Sequence, residues 1–232
     1  VAAAILVLSS LAGIAVEFLF LLIAQITGQP QIADLASNTF INIGVCLLFM
    51  LAATTISYRD MQTTQKLQYF LVTFQIAVLL LFAIAAIVRA TSGDSFDPTP
   101  FDLNWFNPFA VESIGALVAG LSLSIFIFWG WDVTLTMNEE TKDPEKTPGR
   151  AATLAVLVIV SLYLLLAVGL IMFAGVGTGA LGLGNPDIQA NVFFYLSGEV
   201  LGPLAFLVSL AVLTSSASSL QSTFVGPART LL

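Results

Sequence analysis

The residues between Phe126 and Arg150 combine an interrupted apolar helix with a carboxylate. The segment FIFWGWDVTLTMNEETKDPEKTPGR places Gly130 between two tryptophans and Asp132 directly after them. Glycine permits backbone conformations that other residues avoid, so the pattern predicts a helix that breaks near 129–132. Helix ends carry partial charges of about half a unit, which could hold the charged groups of a zwitterion or an ion. Irregular backbone inside a bilayer survives only where protein or a cavity satisfies it, so the break predicts a transporter-type binding site.

Asp132 has two interpretations that are compatible with each other. As an N-cap, its carboxylate would accept a backbone N–H near Leu135. As a functional group, it could contact a substrate or take up a proton during a transport cycle. A carboxylate at this depth costs about 3 kcal/mol on insertion scales, which favours the functional role. Glu139 and Glu140 fit interfacial ion pairs better than substrate contact, with a cytoplasmic gate as the alternative.

Polar groups also interrupt the first and the last apolar stretches. Glu17 lies inside the first stretch, where it could be a proton relay or a hydrogen-bond partner of another helix. The last stretch is rich in small hydroxyl residues, which suit close helix packing. Ala211, Thr214 and Ser215 follow one another at i, i+3 and i+4 on one face. A carbonyl and two hydroxyls could supply oxygen ligands for a sodium ion.

Six apolar stretches must position these residues. Of the 232 residues, 58% are hydrophobic and 9% are charged, against about 25% charged residues in a typical soluble domain. A spanning helix needs roughly 20 apolar residues. The composition therefore predicts one all-α integral membrane domain rather than the helical core of a soluble protein. Residues 188–198 are expected to form a short interfacial helix before the last span. The expected spans are about 1–26, 35–57, 67–90, 112–139, 151–175 and 199–225.

The composition excludes several classes of chemistry. Histidine is absent and Cys46 is the one cysteine, so a disulfide within the chain, Ser-His-Asp catalysis and a cysteine- or histidine-based zinc site are excluded. No clustered nucleophile and base are visible, so we expect no enzyme activity and no cofactor other than the candidate sodium ion. The net charge of −7 argues against nucleic acid, which requires a basic patch.

The cations indicate the orientation in the membrane, because cytoplasmic loops are enriched in Lys and Arg. If the spans alternate, one side receives six of the seven cations, and Arg89 is the exception. The six are Arg59, Lys66, Lys142, Lys146, Arg150 and Arg229. This bias predicts a multi-pass protein of the cell membrane with both chain ends in the cytoplasm. The chain begins at Val1 inside an apolar run and stops at Leu232 without a polar tail, so we expect an internal fragment of a longer polypeptide.

Three motifs resemble the amino acid–polyamine–organocation (APC) superfamily of secondary transporters. FIFWGWD from Phe126, followed by NEETKDPEKTPGRA, is similar to its sixth helix, which reads F-x-F-x-G-[FWY]-[ED] before an acidic pair, K-[ND]-P and a further proline. The stretch YRDMQTTQKLQYFLV from Tyr58 resembles the loop and fifth helix of the family. SSASSLQSTFVGPART from Ser215 resembles the eighth helix and its exit. The resemblance covers essentially the whole chain.

The resemblance implies that the six spans are helices three to eight of a fold with two inverted five-helix repeats. Helices one and two would then be missing helices of the full-length chain, together with the glycine motif that holds the substrate carboxylate. The resemblance also implies that Phe126 is an aromatic gate over the substrate. Carbonyls around Phe126, Trp129 and Gly130, next to Trp131, would face the substrate amine, and Asp132 would act in gating or proton coupling.

Two features of the chain bear on the coupling ion. Many proton-coupled members of the family carry a lysine in the fifth helix, and counting from Lys66 places Gln75 at that position. A neutral amide cannot act as a proton-sensitive ammonium. The Ala211, Thr214 and Ser215 set resembles the eighth-helix part of the sodium site in sodium-coupled relatives. Both sodium and proton coupling therefore stay open.

The sequence thus predicts a secondary active transporter that moves a small molecule, an amino acid or an amine, across a lipid bilayer. The expected mechanism is alternating access driven by a sodium or proton gradient. A polyamine or γ-amino acid permease of the same fold is one alternative, in which Glu17 would add an acid for a cationic amine. A non-transport scaffold subunit is the other, and the two intramembrane acids argue against it.

Overall fold

The computed structural model describes residues 2–59, 61–111, 113–127, 143 and 145–230, with side chains at these residues except 2–5, 57–59, 61–64, 126–127 and 224–230. Within these ranges the chain is α-helical, with short 3-10 turns and no β-strand. The helices are α1 Ala2–Thr27, α2 Thr39–Arg59, α3 Met61–Ser92, α4 Ile114–Ile127, α5 Thr147–Ala174, α6 Val192–Leu201 and α7 Phe206–Thr230.

Apolar side chains surround the long helices on all sides, as expected for helices embedded in lipid or among other helices. Four of the described helices are long and apolar enough to cross a bilayer: Leu6–Thr27, Thr39–Ile56, Gln65–Ser92 and Thr147–Ala174. Helices α4 and α7 are not among these four. Helix α4 is described only as far as Ile127, and α7 is less apolar because it carries the run of small hydroxyl residues. The prediction of an all-α membrane protein is confirmed for the part of the chain that the structure describes.

Local sequence signals set several helix ends. Asn38 precedes α2, and its Oδ1 accepts hydrogen bonds from the backbone N–H of Phe40 at 3.1 Å and of Ile41 at 3.3 Å, as an N-cap does. The predicted span 199–225 contains an interruption, because α6 ends at Leu201 and the next residue, Gly202, has a φ of 56°. Glycine adopts this left-handed conformation without strain. The last long helix therefore starts at Phe206, beyond a 3-10 turn at Gly202–Leu204.

Helix α7 lies at the centre of the described bundle. It packs against α1, α2 and α3, and α5 packs against α3. One buried core joins α3, α5, α6 and α7, and its fully enclosed side chains include Phe82, Leu196 and Val208. A smaller core joins the ends of α1, α2 and α7 through Leu8, Ala12, Ala53 and Leu220.

The outer faces of the described helices are strongly apolar. Phe40 in α2 is 88% exposed and Ile114 in α4 is 81% exposed. Further exposed side chains on these helices and on α5 include Leu48, Leu121, Leu123, Ile125, Leu154 and Leu157. Contiguous apolar surface on this scale is typical of contact with lipid or with other membrane helices.

Helices α3 and α5 approach closely because Gly169 has no side chain. A Cβ placed on Gly169 would lie 3.0 Å from the carbonyl oxygen of Ala83 and 3.3 Å from Cγ1 of Ile87. Small residues allow membrane helices to pack backbone to backbone, which is the main source of their association. Ala83 and Ala86 provide the matching small surface on α3.

We expect Gly169→Ala to lower the stability of the protein by about 1 kcal/mol, because the added methyl group overpacks a contact with rigid backbone. Thermal unfolding of the detergent-solubilised protein would measure this. Gly44→Ala is the matched control, since a Cβ on Gly44 in α2 meets no atom within 4 Å. The control should leave the melting temperature unchanged or raise it, because alanine favours helix over glycine. A similar melting temperature for the two variants would contradict the proposed close contact.

Candidate functional site

A cavity of about 260 Å³ lies beside the intramembrane acid of α1. It is bounded by α1, by the 3-10 turn Gln189–Asn191 with the start of α6, and by α7. The described residues that line it are Ile14, Glu17, Phe18, Gln189, Ala190, Asn191, Val192, Phe193 and Val212. The walls are thus mostly apolar and carry a few polar groups, which is the usual composition of a small-molecule site.

Glu17 is partly buried and makes one contact across this cavity. Its Oε1 accepts a hydrogen bond of 2.6 Å from Nδ2 of Asn191. Within the described ranges, the one ion pair joins Arg89 to Asp94, and no Lys or Arg lies within 4.0 Å of the Glu17 carboxylate. Acids inside apolar helices usually pair with a cation or face a functional cavity. Of the two roles that the sequence left open for Glu17, a proton relay or a hydrogen-bond partner, this geometry shows the hydrogen bond.

Asn191 has a polar atom that the described part of the chain leaves unsatisfied. A carboxylate only accepts hydrogen bonds, so the amide nitrogen of Asn191 must face Glu17 and the amide oxygen must face elsewhere. That oxygen, Oδ1, is buried and has no hydrogen-bond partner among the described residues. A buried acceptor without a donor costs about 1–3 kcal/mol, so the site favours a ligand that carries donors.

Gln75 lies in the middle of α3 and does not line this cavity. Its amide nitrogen Nε2 is buried and has no hydrogen-bond partner among the described residues. The position singled out by the sequence therefore carries an unsatisfied hydrogen-bond donor. Such a donor can serve an acceptor on a substrate or on another helix.

The three residues considered for sodium lie in α7, with Thr214 and Ser215 about one turn after Ala211. The Thr214 hydroxyl donates to the carbonyl oxygens of Leu210 at 2.8 Å and of Ala211 at 3.1 Å. Hydroxyl residues commonly form such bonds to the preceding helical turn. The bond brings the Thr214 hydroxyl and the Ala211 carbonyl together, and both oxygens keep lone pairs. Ala211 is buried, and Thr214 and Ser215 are partly buried.

Two polar contacts between helices involve glutamines, Gln25 and Gln68, that the sequence did not identify. Ser209 in α7 donates to Oε1 of Gln25 in α1 at 2.9 Å. Gln68 in α3 contacts Ser218 and Gln221 in α7 through both ends of its amide. Glutamine residues within otherwise apolar helices are the signal that could have found them, because a buried amide requires partners.

The broken-helix motif falls largely outside the described residues. Phe126 is in the last turn of α4, and its side chain is not described. Trp129, Gly130, Trp131 and Asp132 lie outside the described residues, as do Glu139 and Glu140. The roles inferred for them remain predictions from the sequence.

Comparison with known proteins identifies the family of this chain. A family model described as "Amino acid permease" matches residues 1–232. An uncharacterized transporter of Mycobacterium bovis is 28% identical over 131 residues, which is 56% of this chain and 28% of that protein. Uncharacterized transporters of two strains of Mycobacterium tuberculosis match to the same extent. The aligned region is thus less than a third of each relative's length. No solved structure matches the chain significantly.

Proposed function

Because the chain belongs to the amino acid permease family, we propose that it forms part of a secondary active transporter that moves amino acids across the membrane by alternating access. The match of the family model to residues 1–232 is the observation that carries this proposal. The described structure supports it through polar groups held inside apolar helices, at Glu17 and Gln75, and through the hydrogen bond of Glu17 to Asn191. Such groups are costly in a bilayer and mark substrate or ion pathways.

We propose that the main substrate site lies at the break predicted near 129–132. Phe126 would cover the substrate, and the carbonyls around Trp129 and Gly130 would bind its amine. Asp132 would couple the movement to an ion. These roles rest on the motif FIFWGWD and on its resemblance to the sixth helix of the superfamily.

The coupling ion is either sodium or a proton. The Ala211 carbonyl and the Thr214 hydroxyl, which lie 3.1 Å apart, support sodium because hard oxygen ligands suit that ion. Gln75 supports the same choice, since it is neutral where proton-coupled members carry a lysine. We place the transporter in the cell membrane with Lys66, Lys146 and Arg150 on the cytoplasmic side, following the cation bias.

A polyamine or γ-amino acid permease is the second candidate function. The observation that favours it is Glu17, whose carboxylate has no cationic partner within the described ranges and faces a cavity. A second amine on the substrate would supply that charge. In either case the substrate is a small molecule with at least one amine, and we expect no covalent chemistry.

We expect the complete protein, reconstituted into proteoliposomes, to accumulate labelled amino acid when an inward sodium or proton gradient is imposed without ATP. Each gradient would be tested alone and then collapsed with an ionophore. Accumulation should disappear when the driving gradient collapses, and adding ATP should not restore it. Uptake that follows ATP hydrolysis, or that is absent under both gradients for all amino acids and amines, would contradict the proposed function.

A further inference from the structure

We propose that the cavity between α1 and the turn before α6 is a binding site for a primary ammonium group, held by Glu17 and Asn191. Its described lining residues belong to α1, to the turn before α6 with the start of that helix, and to α7, whereas the predicted break near 129–132 lies outside the described residues. If the cavity binds the transported substrate, the proposal rests on the proposed function and narrows the substrate class to compounds with a primary amine. That the cavity binds an ammonium group at all is argued from its geometry.

The charge of the ligand follows from Glu17. The carboxylate lies within an apolar helix, and its one described partner is the neutral amide of Asn191. No Lys or Arg of the described residues lies within 4.0 Å of it. A carboxylate in such surroundings is stabilised by a cation in the adjoining cavity.

The hydrogen-bonding character of the ligand follows from Asn191. Its Nδ2 is committed to Glu17 at 2.6 Å, while its Oδ1 is buried without a donor among the described residues. A ligand that satisfies both groups must be positive and must carry at least two donors. A primary ammonium has one positive charge and three N–H donors. Gln189 lines the same cavity and carries a further side-chain acceptor.

The shape of the cavity favours an organic ammonium over a bare metal ion. Six of the nine described lining residues are apolar, among them Ile14, Phe18 and Val212. Such walls suit a short aliphatic chain and offer few oxygen ligands. Among the residues that the structure describes, no group of three or more Asp, Glu, His or Cys side chains could hold a metal ion. The volume of about 260 Å³ is below that of drug-sized sites and fits a small amine.

The test is ligand-dependent thermal stabilisation of the complete protein in detergent, at constant ionic strength. The probes are n-butylammonium and tetramethylammonium, which carry the same charge but differ in N–H donors. We expect n-butylammonium to raise the melting temperature of the wild-type protein saturably, and tetramethylammonium to have no such effect. Glu17→Gln should remove the shift, because the amide keeps the shape of the side chain without its charge.

Two further variants make the result specific. Asn191→Leu removes the second acceptor, so it should weaken the apparent affinity for n-butylammonium by about tenfold or more. Glu199→Gln is the charge-matched control, since Glu199 is an exposed residue of α6 outside the cavity, and it should bind like the wild type. An absent shift in the wild type, an equal shift with both cations, or an unchanged shift in Glu17→Gln would overturn the proposal.

Gradient-driven uptake of amino acids by the same preparations separates this proposal from the proposed function. Specific n-butylammonium binding without any uptake would reject the transporter and leave the site in place. Uptake of amino acids by a protein that does not bind n-butylammonium would reject the site alone.

Discussion

Replacing Asp132 by asparagine in the complete transporter is expected to reduce gradient-driven uptake by at least about tenfold, with expression and melting temperature unchanged. Asparagine caps a helix N-terminus about as well as aspartate does. A residue that only caps a helix would therefore tolerate this change. A residue that carries a charge or a proton during the transport cycle would not, because an amide can do neither.

Two further variants sharpen the test of Asp132. Asp132→Glu should keep most of the uptake, because the related motif more often carries glutamate at this position. Asp187→Asn is the control, since Asp187 is an exposed acid in the loop that follows α5, and it should transport like the wild type. Initial rates of labelled amino acid uptake into proteoliposomes would be compared at equal protein content. Wild-type rates in Asp132→Asn would remove the role assigned to this carboxylate.

Apolar length and turn chemistry were sufficient to predict much of the helical architecture. Pro148 lies in the first turn of α5 and Gly175 is its C-cap, so the helix begins and ends close to where the sequence placed its ends. The sequence predicted a short helix at 188–198 before the last span, but the observed break lies a few residues later, after Leu201, because Gly202 and Pro203 are embedded in one long apolar run. Hydropathy does not locate the break within this run, whereas Gly202 with its positive φ marks it in the structure.

The candidate site was only half predictable from the sequence. Glu17 stood out, since a lone acid in an apolar span is costly and calls for a partner. Its partner Asn191 lies 174 residues away along the chain. No local pattern encodes such a pair, because it depends on how α1 packs beside the turn that precedes α6. Asn191 itself looked like an ordinary polar residue in a loop.

The same limit applies to the polar contact between α3 and α7, which consists of Gln68, Ser218 and Gln221. Nε2 of Gln68 donates to the carbonyl oxygen of Ser218 at 3.0 Å and to Oε1 of Gln221 at 3.1 Å. The Ser218 hydroxyl donates to Oε1 of Gln68. Ser218 and Gln221 are 6% and 3% exposed, so water cannot readily replace these bonds. The amide of Gln68 thus forms hydrogen bonds with three polar groups of α7: the Ser218 carbonyl, the Ser218 hydroxyl and the side-chain oxygen of Gln221.

We expect Gln68→Leu to destabilise the complete protein by about 2 kcal/mol, because it removes three hydrogen bonds and leaves buried polar atoms of Ser218 and Gln221 without that partner. Thermal unfolding in detergent would measure the loss. Gln65→Leu is the matched control on the same helix, since Gln65 is exposed. The control should change the melting temperature little, because an exposed amide exchanges its bonds with water or headgroups.

A double-mutant cycle would establish that the loss arises from this contact. Ser218→Ala alone should cost less than Gln68→Leu, because it removes one of the three bonds. In Gln68→Leu/Ser218→Ala the second change should cost almost nothing, since the Ser218 hydroxyl has already lost its acceptor on α3. The loss of stability in the double variant should therefore be smaller than the sum of the two single losses by about 1 kcal/mol. Strict additivity would indicate that Gln68 and Ser218 act independently, and that α3 and α7 are held together by their apolar contacts alone.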